Sequence, residues 1–202
     1  MKQNSSSKKS LWLQGNNLVL NENQEKSFDI KNDRIEITRQ SIFSEQDNLT
    51  KLIKIIIWGY PNFGRGRNVK NILDQKNSIL NIVTNLYTSN LDIAEFESLI
   101  QTFNKINSLG PSTWSKILYF FNFKVNNIAT QILDIQIIKS LNKGNLLELV
   151  ELKHITYSKE KISIPYINYI SILNDLARQM HCSADQIEIF LFHFNNYYNL
   201  ND

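Results

Sequence analysis

The stretch SLGPSTWSKILYFF, residues Ser108–Phe121, predicts the end of one helix, a tight turn and the start of a second helix. Gly110 can adopt a positive φ, and Pro111 has no backbone N–H with which to continue a helical ladder. A helix that reaches this point therefore ends, and the apolar residues after the turn begin another. The sequence thus predicts a tight helical hairpin with Lys116 on its second helix.

The helix before the turn has the clearest amphipathic pattern in the chain. Asp92 followed three residues later by Glu95 is typical of a capping box, in which side chains bind the free backbone amides at a helix start. Apolar residues then recur at helical spacing. They predict a buried face made of Ile93, Phe96, Leu99, Ile100, Phe103 and Ile106.

The turn itself is a candidate phosphate site. The unpaired amides at the start of the second helix carry partial positive charge, and Gly110 lets a ligand approach the backbone closely. The hydroxyls of Ser112 and Thr113 can cap this helix or contact the phosphate. The alternative is a purely structural turn, because most helical hairpins bind nothing.

Asp134 lies in an aliphatic run, TQILDIQIIKSL, residues Thr130–Leu141. An ionised carboxylate in such surroundings needs a partner or a function. One interpretation is an N-cap for a helix over residues 135–141, and a capping carboxylate is rigid, ionised and still able to face a site. Lys116 precedes it by enough chain for one helix and a return loop. The two side chains can therefore meet in a cleft, although a lysine on a helix is usually solvated.

Composition limits the remaining possibilities. The chain has 202 residues, a formal net charge of +3 and a single cysteine, Cys182. The charge permits nucleic-acid binding without arguing for it, and the lone cysteine excludes an intrachain disulfide and a four-cysteine iron–sulfur or zinc site. Because the single cysteine fits a reducing compartment, we expect a cytoplasmic protein. No apolar stretch near the start has the length of a signal peptide or membrane span.

The patterning along the chain predicts a mainly α fold with a small N-terminal β element. The polar residues 1–10 predict a disordered tail. Short alternating runs in residues 11–43 predict a few strands, and residues 44–202 have the periodicity of a multi-helix domain. We expect one compact domain.

The motifs together resemble the helix-hairpin-helix DNA glycosylase superfamily. The hairpin stretch is similar to its hairpin, and ILDIQIIKSL is similar to the segment that carries its catalytic aspartate. Weaker similarity in IIIWGYPNFGRGRN and DQIEIFLF extends the resemblance over most of residues 42–194 and indicates a bacterial branch with the 8-oxoguanine glycosylase fold. The resemblance implies excision of a damaged or modified base, oxidised guanine being the suggested one.

The resemblance also implies catalytic residues. Asp134 corresponds to the catalytic carboxylate, and Lys116 to the Schiff-base lysine of members that are also AP lyases. The usual hairpin has a second glycine where Ser112 stands. Counted forward from the hairpin, the lysine position falls on Trp114, whereas counted back from Asp134 it falls within one residue of Lys116. If Lys116 points away from the site, water is the nucleophile and the enzyme only removes the base.

A glycosylase must hold a base that has left the helical stack. The aromatic candidates for such a pocket are Trp58, Tyr60, Phe63 and Trp114, each of which is also a plausible core residue. In the loop YPNFGRGRN, Arg65 and Arg67 are candidates for DNA binding, with a solvated loop as the alternative.

The resemblance implies double-stranded DNA as the partner and no organic cofactor, although hairpins of the family can hold a monovalent cation on their carbonyls. Three scattered histidines predict no metal site, and we expect a monomer without a protein partner. Two other functions fit the same residues: a non-catalytic helix-hairpin-helix module that binds DNA phosphates, and a helical protein-interaction domain. Asp134 distinguishes the enzyme from the module, which has no use for a carboxylate facing phosphates. Repair and defence against modified foreign DNA would use the same chemistry.

Overall fold

The computed structural model describes residues 4–13, 20–62, 67–86, 89–143, 146–155 and 162–198. These residues are mainly helical, as predicted, with a small sheet near the N-terminus. The chain divides into two compact units, residues 1–87 with 106–109 and residues 88–105 with 110–202. The boundary expected between residues 43 and 44 therefore falls inside the first unit. Among the described helices, none is both long and apolar enough to cross a bilayer.

The sheet of the first unit has three antiparallel strands in the order β1-β3-β2: β1 Asn4–Lys8, β2 Asp29–Lys31 and β3 Arg34–Thr38. Asn32 and Asp33 join β2 to β3 with positive φ angles of 49° and 59°, as two-residue hairpin turns require. The disordered tail expected for residues 1–10 is replaced over residues 4–10 by β1 and the start of a helix. β1 pairs along its whole length with β3, and its serines gave no apolar alternation to indicate a strand.

The helices of the first unit are α1 Lys9–Leu13, α2 Glu22–Lys26, α3 Arg39–Phe43, α4 Asn48–Gly59, α5 Asn68–Asp74 and α6 Lys76–Thr84. α4 supplies more of the buried apolar residues of this unit than any other of its described elements, since its aliphatic residues are buried nearly all round. Asp47 caps it by accepting from the Thr50 amide at 2.8 Å. Lys54 is also buried in α4, where its ammonium lies 2.7 Å from Glu45.

The second unit contains the two helices of the predicted hairpin, whereas residues 106–109 of its turn belong to the first. The elements of the second unit are β4 Asn90–Leu91, α7 Ile93–Asn104, α8 Pro111–Phe120, β5 Lys124–Val125, β6 Ile128–Ala129, α9 Ile135–Lys143, a 3₁₀ helix at Leu147–Leu152, α10 Ser163–Gln179 and α11 Ala184–Tyr198. The small sheet β4-β5-β6 was not expected, because strands of two residues have no detectable periodicity.

α7 has the predicted capping box. The Asp92 side chain accepts from the Glu95 amide at 2.8 Å, and the Glu95 side chain accepts from the Asp92 amide at 2.8 Å. The predicted apolar face is buried except at Ile93, which is 44% exposed. As the first helical residue, Ile93 has no preceding turn to pack beside it.

The turn before α8 differs from the prediction in one respect. Gly110 is extended, with φ −92° and ψ 175°, because a residue that precedes proline is excluded from helical conformations. Ser108 has the positive φ instead, at 67°. Its hydroxyl accepts from Asn71 at 3.1 Å and donates to Asn68 at 3.3 Å. Pro111 takes the first helical position, where its missing N–H leaves no bond unmade.

The core of the second unit is aromatic. Trp114 of α8 lies edge-on to Tyr166, with ring centroids 4.9 Å apart, and to Phe96 at 6.2 Å. All three rings are fully buried. Trp114, a candidate for the base pocket, is therefore a core residue in this structure. Every other residue of α8 except Ser112 is buried as well.

Candidate active site

Lys116 and Asp134 meet within the second unit. The Lys116 Nζ lies 2.6 Å from Asp134 Oδ2, and the two side chains are only 6% and 16% exposed. The two ways of counting along the sequence had given Trp114 and Lys116 as alternatives. The structure pairs Lys116, and not Trp114, with the aspartate.

Ser112 lies between these two side chains. Lys116 Nζ donates to the Ser112 hydroxyl at 2.6 Å and to the Ser112 carbonyl at 3.0 Å. The Ser112 hydroxyl is also 2.9 Å from Asp134 Oδ2, to which it donates. Ser112 was predicted from the sequence as a residue that contacts DNA, and in the structure its hydroxyl bonds to Lys116 and Asp134.

Asp134 caps α9, as the sequence predicted. Its Oδ1 accepts from the Gln136 amide at 3.1 Å, while its carbonyl accepts from the Ile138 amide at 3.1 Å. One carboxylate oxygen is thus held by the start of the helix, and the other faces Lys116. The positive end of the helix favours the ionised form of the carboxyl group.

The backbone that leads to Asp134 is held by buried hydroxyl groups. Tyr166 of α10 donates to the Gln131 carbonyl at 2.7 Å and accepts from the Gln131 amide at 3.2 Å. Tyr169 donates to the next carbonyl at 2.8 Å, and Ser115 accepts from the amide just before Asp134 at 3.1 Å. Sequence reasoning missed all three. The only feature of the sequence that could have pointed to them is the pair of tyrosines within one turn of the same helix, and it gives no indication of Ser115.

A family model described as "Putative 8-oxoguanine DNA glycosylase OGG-like protein" matches residues 4–192. The chain belongs to this family. Membership of the OGG-like family supports a DNA glycosylase function, and with it DNA binding, and it confirms the branch that the sequence motifs resemble. No curated protein and no solved structure matches the chain significantly.

The carboxyl group of Asp134 is ionised at neutral pH in this OGG-like protein. Burial raises its pKa, but the Lys116 ammonium beside it and the hydrogen bonds from Lys116, Gln136 and Ser112 together lower the pKa to about 2. Burial raises the pKa of Tyr166 above its ordinary value, so this phenol is neutral and can donate to the backbone before Asp134. The site therefore rests as an ammonium–carboxylate pair.

This depressed pKa predicts that the ion pair stabilises the fold except in acid. Because the folded-state pKa is lower than the unfolded one, the stabilisation of about 2 kcal/mol is present above about pH 4 and is lost as the pH falls through about 2. Urea unfolding at about pH 6 and about pH 2 measures it. Wild type should exceed Asp134→Asn in unfolding free energy at the higher pH, and the difference should shrink at the lower one.

A matched control for this titration is Asp175→Asn, which removes a carboxylate from an exposed ion pair with Arg178. It should change the unfolding free energy by no more than about 0.5 kcal/mol at either pH. A difference between wild type and Asp134→Asn that stays constant with pH would contradict the lowered pKa of Asp134.

The predicted hairpin residues Gly110 and Thr113 lie at the start of α8, and the predicted aromatic residues Trp58 and Tyr60 lie at the end of α4. Gly110 forms the backbone cap of α8, and Thr113 is buried in its first turn. Trp58 is buried in α4 with the Arg39 guanidinium 5.5 Å from its ring, and Tyr60 follows it half-buried. Thr113 and Trp58 are thus packed within the fold, whereas Tyr60 keeps part of its surface accessible.

The loop after α4 contains the remaining predicted residues. Arg67 is exposed at the start of α5, whereas Phe63 and Arg65 lie outside the described residues. An exposed guanidinium at this position is accessible to a phosphate, so DNA binding by Arg67 stays a prediction. Within the described ranges, there is no group of three or more His, Cys, Asp or Glu residues placed so that it could hold a metal ion.

Proposed function

We propose that this OGG-like protein is a DNA glycosylase with lyase activity that removes oxidised guanine from duplex DNA through Lys116 and Asp134. The observation that carries the proposal is the 2.6 Å contact between these two nearly buried side chains. In a chain of this family, a buried lysine beside a buried aspartate supplies an amine that can act as a nucleophile and a fixed carboxylate that can stabilise positive charge.

Asp134 would act by electrostatics. Breaking the N-glycosidic bond places positive charge on the sugar, and a fixed carboxylate stabilises that charge without having to reorganise. The capping bond from Gln136 and the anchored backbone before Asp134 supply the rigidity. The pKa of about 2 keeps the negative charge present at any physiological pH.

Lys116 would act as the nucleophile. Its ammonium has three N–H donors, and the two oxygens of Ser112 together with Asp134 Oδ2 provide three acceptors. The ammonium must lose a proton before its lone pair can attack the anomeric carbon. Because Asp134 stays ionised, that proton passes to solvent and not to the carboxylate. Attack would expel the base with the bonding electron pair and lead to a Schiff base, from which β-elimination cleaves the strand.

The test uses duplexes that each carry one modified base, with 8-oxoguanine opposite cytosine first and uracil and alkylated purines beside it. We expect release of 8-oxoguanine, strand cleavage without added alkali, and a covalent adduct after borohydride reduction. Release that needs alkali to reveal the break would exclude lyase activity.

Two outcomes would contradict the proposal as a whole. Tight binding of duplex DNA with no release from any modified base would favour the non-catalytic module. No binding to duplex DNA would favour a helical protein-interaction domain.

A further inference from the structure

The half-buried Ser112 occupies the second helical position of α8, directly after Pro111. Both of its oxygens contact Lys116, and its hydroxyl also contacts Asp134. No other side chain in the described residues is shown to contact both members of the pair. Its place between them raises the question of what the hydroxyl does there.

The directions of the hydrogen bonds follow from the chemistry of the groups. An ammonium can only donate, so the Ser112 hydroxyl accepts from Lys116. An ionised carboxylate can only accept, so the same hydroxyl donates its single hydrogen to Asp134. With the direct Lys116–Asp134 bond, three side chains close a ring of hydrogen bonds of 2.6, 2.6 and 2.9 Å.

This ring conflicts with a role for Ser112 in binding DNA. A phosphate oxygen needs a hydrogen from its protein partner, and the one hydrogen of the Ser112 hydroxyl already points to Asp134. A phosphate contact would have to break that bond and leave the carboxylate with one donor fewer. The hydroxyl is therefore better placed to hold Asp134 than to hold DNA.

We propose that Ser112 is a positioning residue, whose hydroxyl orients Lys116 and Asp134 for reaction by bonding to both. The inference rests on the proposed function of those two residues. A glycine at this position, as in the hairpins that the sequence resembles, has no side chain to make either bond. Ser112 would thus give this chain a hydroxyl-bridged pair in place of a simple ion pair.

The test compares three variants with wild type on the duplex from which wild type releases a base. Ser112→Ala removes both side-chain bonds and should lower the single-turnover rate about tenfold, with the duplex Kd unchanged within about twofold. Ser112→Thr restores a hydroxyl and should recover most of the rate. Ser98→Ala, which removes an exposed hydroxyl from α7, is the control and should leave the rate unchanged.

A second measurement needs no substrate. The ¹³C chemical shift of the Asp134 carboxyl carbon reports its titration, and Ser112→Ala should move its pKa upward, because a hydrogen bond to the ionised form has been removed. Ser112→Thr should return it toward the wild-type value. Lys116, the charged group beside Asp134, is unchanged in both variants.

Two results would overturn the inference. One is weaker duplex binding by Ser112→Ala at an unchanged rate, which would make Ser112 a phosphate ligand. The other is an Asp134 titration that is the same in wild type and Ser112→Ala. If wild type releases no base from any duplex, the proposed function fails, while the titration still decides whether Ser112 positions Asp134.

Discussion

Asp134→Asn is expected to lower the rate of base release by about 10²- to 10³-fold, because a neutral amide cannot stabilise the positive charge that develops on the sugar. Asparagine is as good an N-cap as aspartate, so the bond to the Gln136 amide and the start of α9 should remain. Duplex binding should be unchanged or tighter, since a negative charge near DNA phosphates has been removed. Single-turnover release and duplex affinity, measured on the same preparation, give both quantities.

The control for this variant is again Asp175→Asn, whose carboxylate lies in an exposed ion pair on α10. It should release base at the wild-type rate. Wild-type turnover by Asp134→Asn would reduce Asp134 to a helix cap and place catalysis on other residues.

Lys116→Gln is expected to abolish the borohydride adduct and to lower base release about a thousandfold, because the amide nitrogen has no lone pair available for attack on the anomeric carbon. The substitution also leaves Asp134 without its cation, so circular dichroism should first establish that the variant is folded. Denaturing electrophoresis after reduction detects the adduct as a protein–DNA band.

Lys139→Gln is the matched control, because Lys139 is an exposed lysine on α9. It should form the adduct as wild type does. An adduct that persists in Lys116→Gln would place the nucleophile elsewhere. Base release at the wild-type rate by Lys116→Gln would make water the nucleophile and remove Lys116 from the covalent step.

The parts of the fold that follow local rules were predictable from the sequence. The capping box of Asp92 and Glu95 and the apolar spacing after it predicted α7, and the position of Asp134 before an aliphatic run predicted the start of α9. The parts that depend on distant partners were not predictable. β1 is a strand because β3 pairs with it, and nothing in its own serines indicates this.

The candidate site shows the same division. The spacing along the chain allowed Lys116 and Asp134 to meet, but the count forward from the hairpin and the count back from Asp134 disagreed and could not choose between Lys116 and Trp114. Burial of the indole against Tyr166 makes Trp114 a core residue and leaves Lys116 beside the carboxylate. The bridging position of Ser112 was not predictable, because the atoms that it contacts are brought together only by the fold. From the sequence alone, a hydroxyl in a turn indicates a helix cap or a phosphate contact.

The burial of α8 on nearly all sides has a consequence for the way in which this protein can vary. A helix with only Ser112 half-exposed offers almost no position at which a substitution is neutral. In a library of random single substitutions, α8 should therefore be the segment with the fewest surviving variants. Most of those losses would come from misfolding, so a screen by activity alone would credit the whole helix with catalysis. A parallel screen for folded protein should leave Lys116 as the position on α8 where activity and abundance separate most widely.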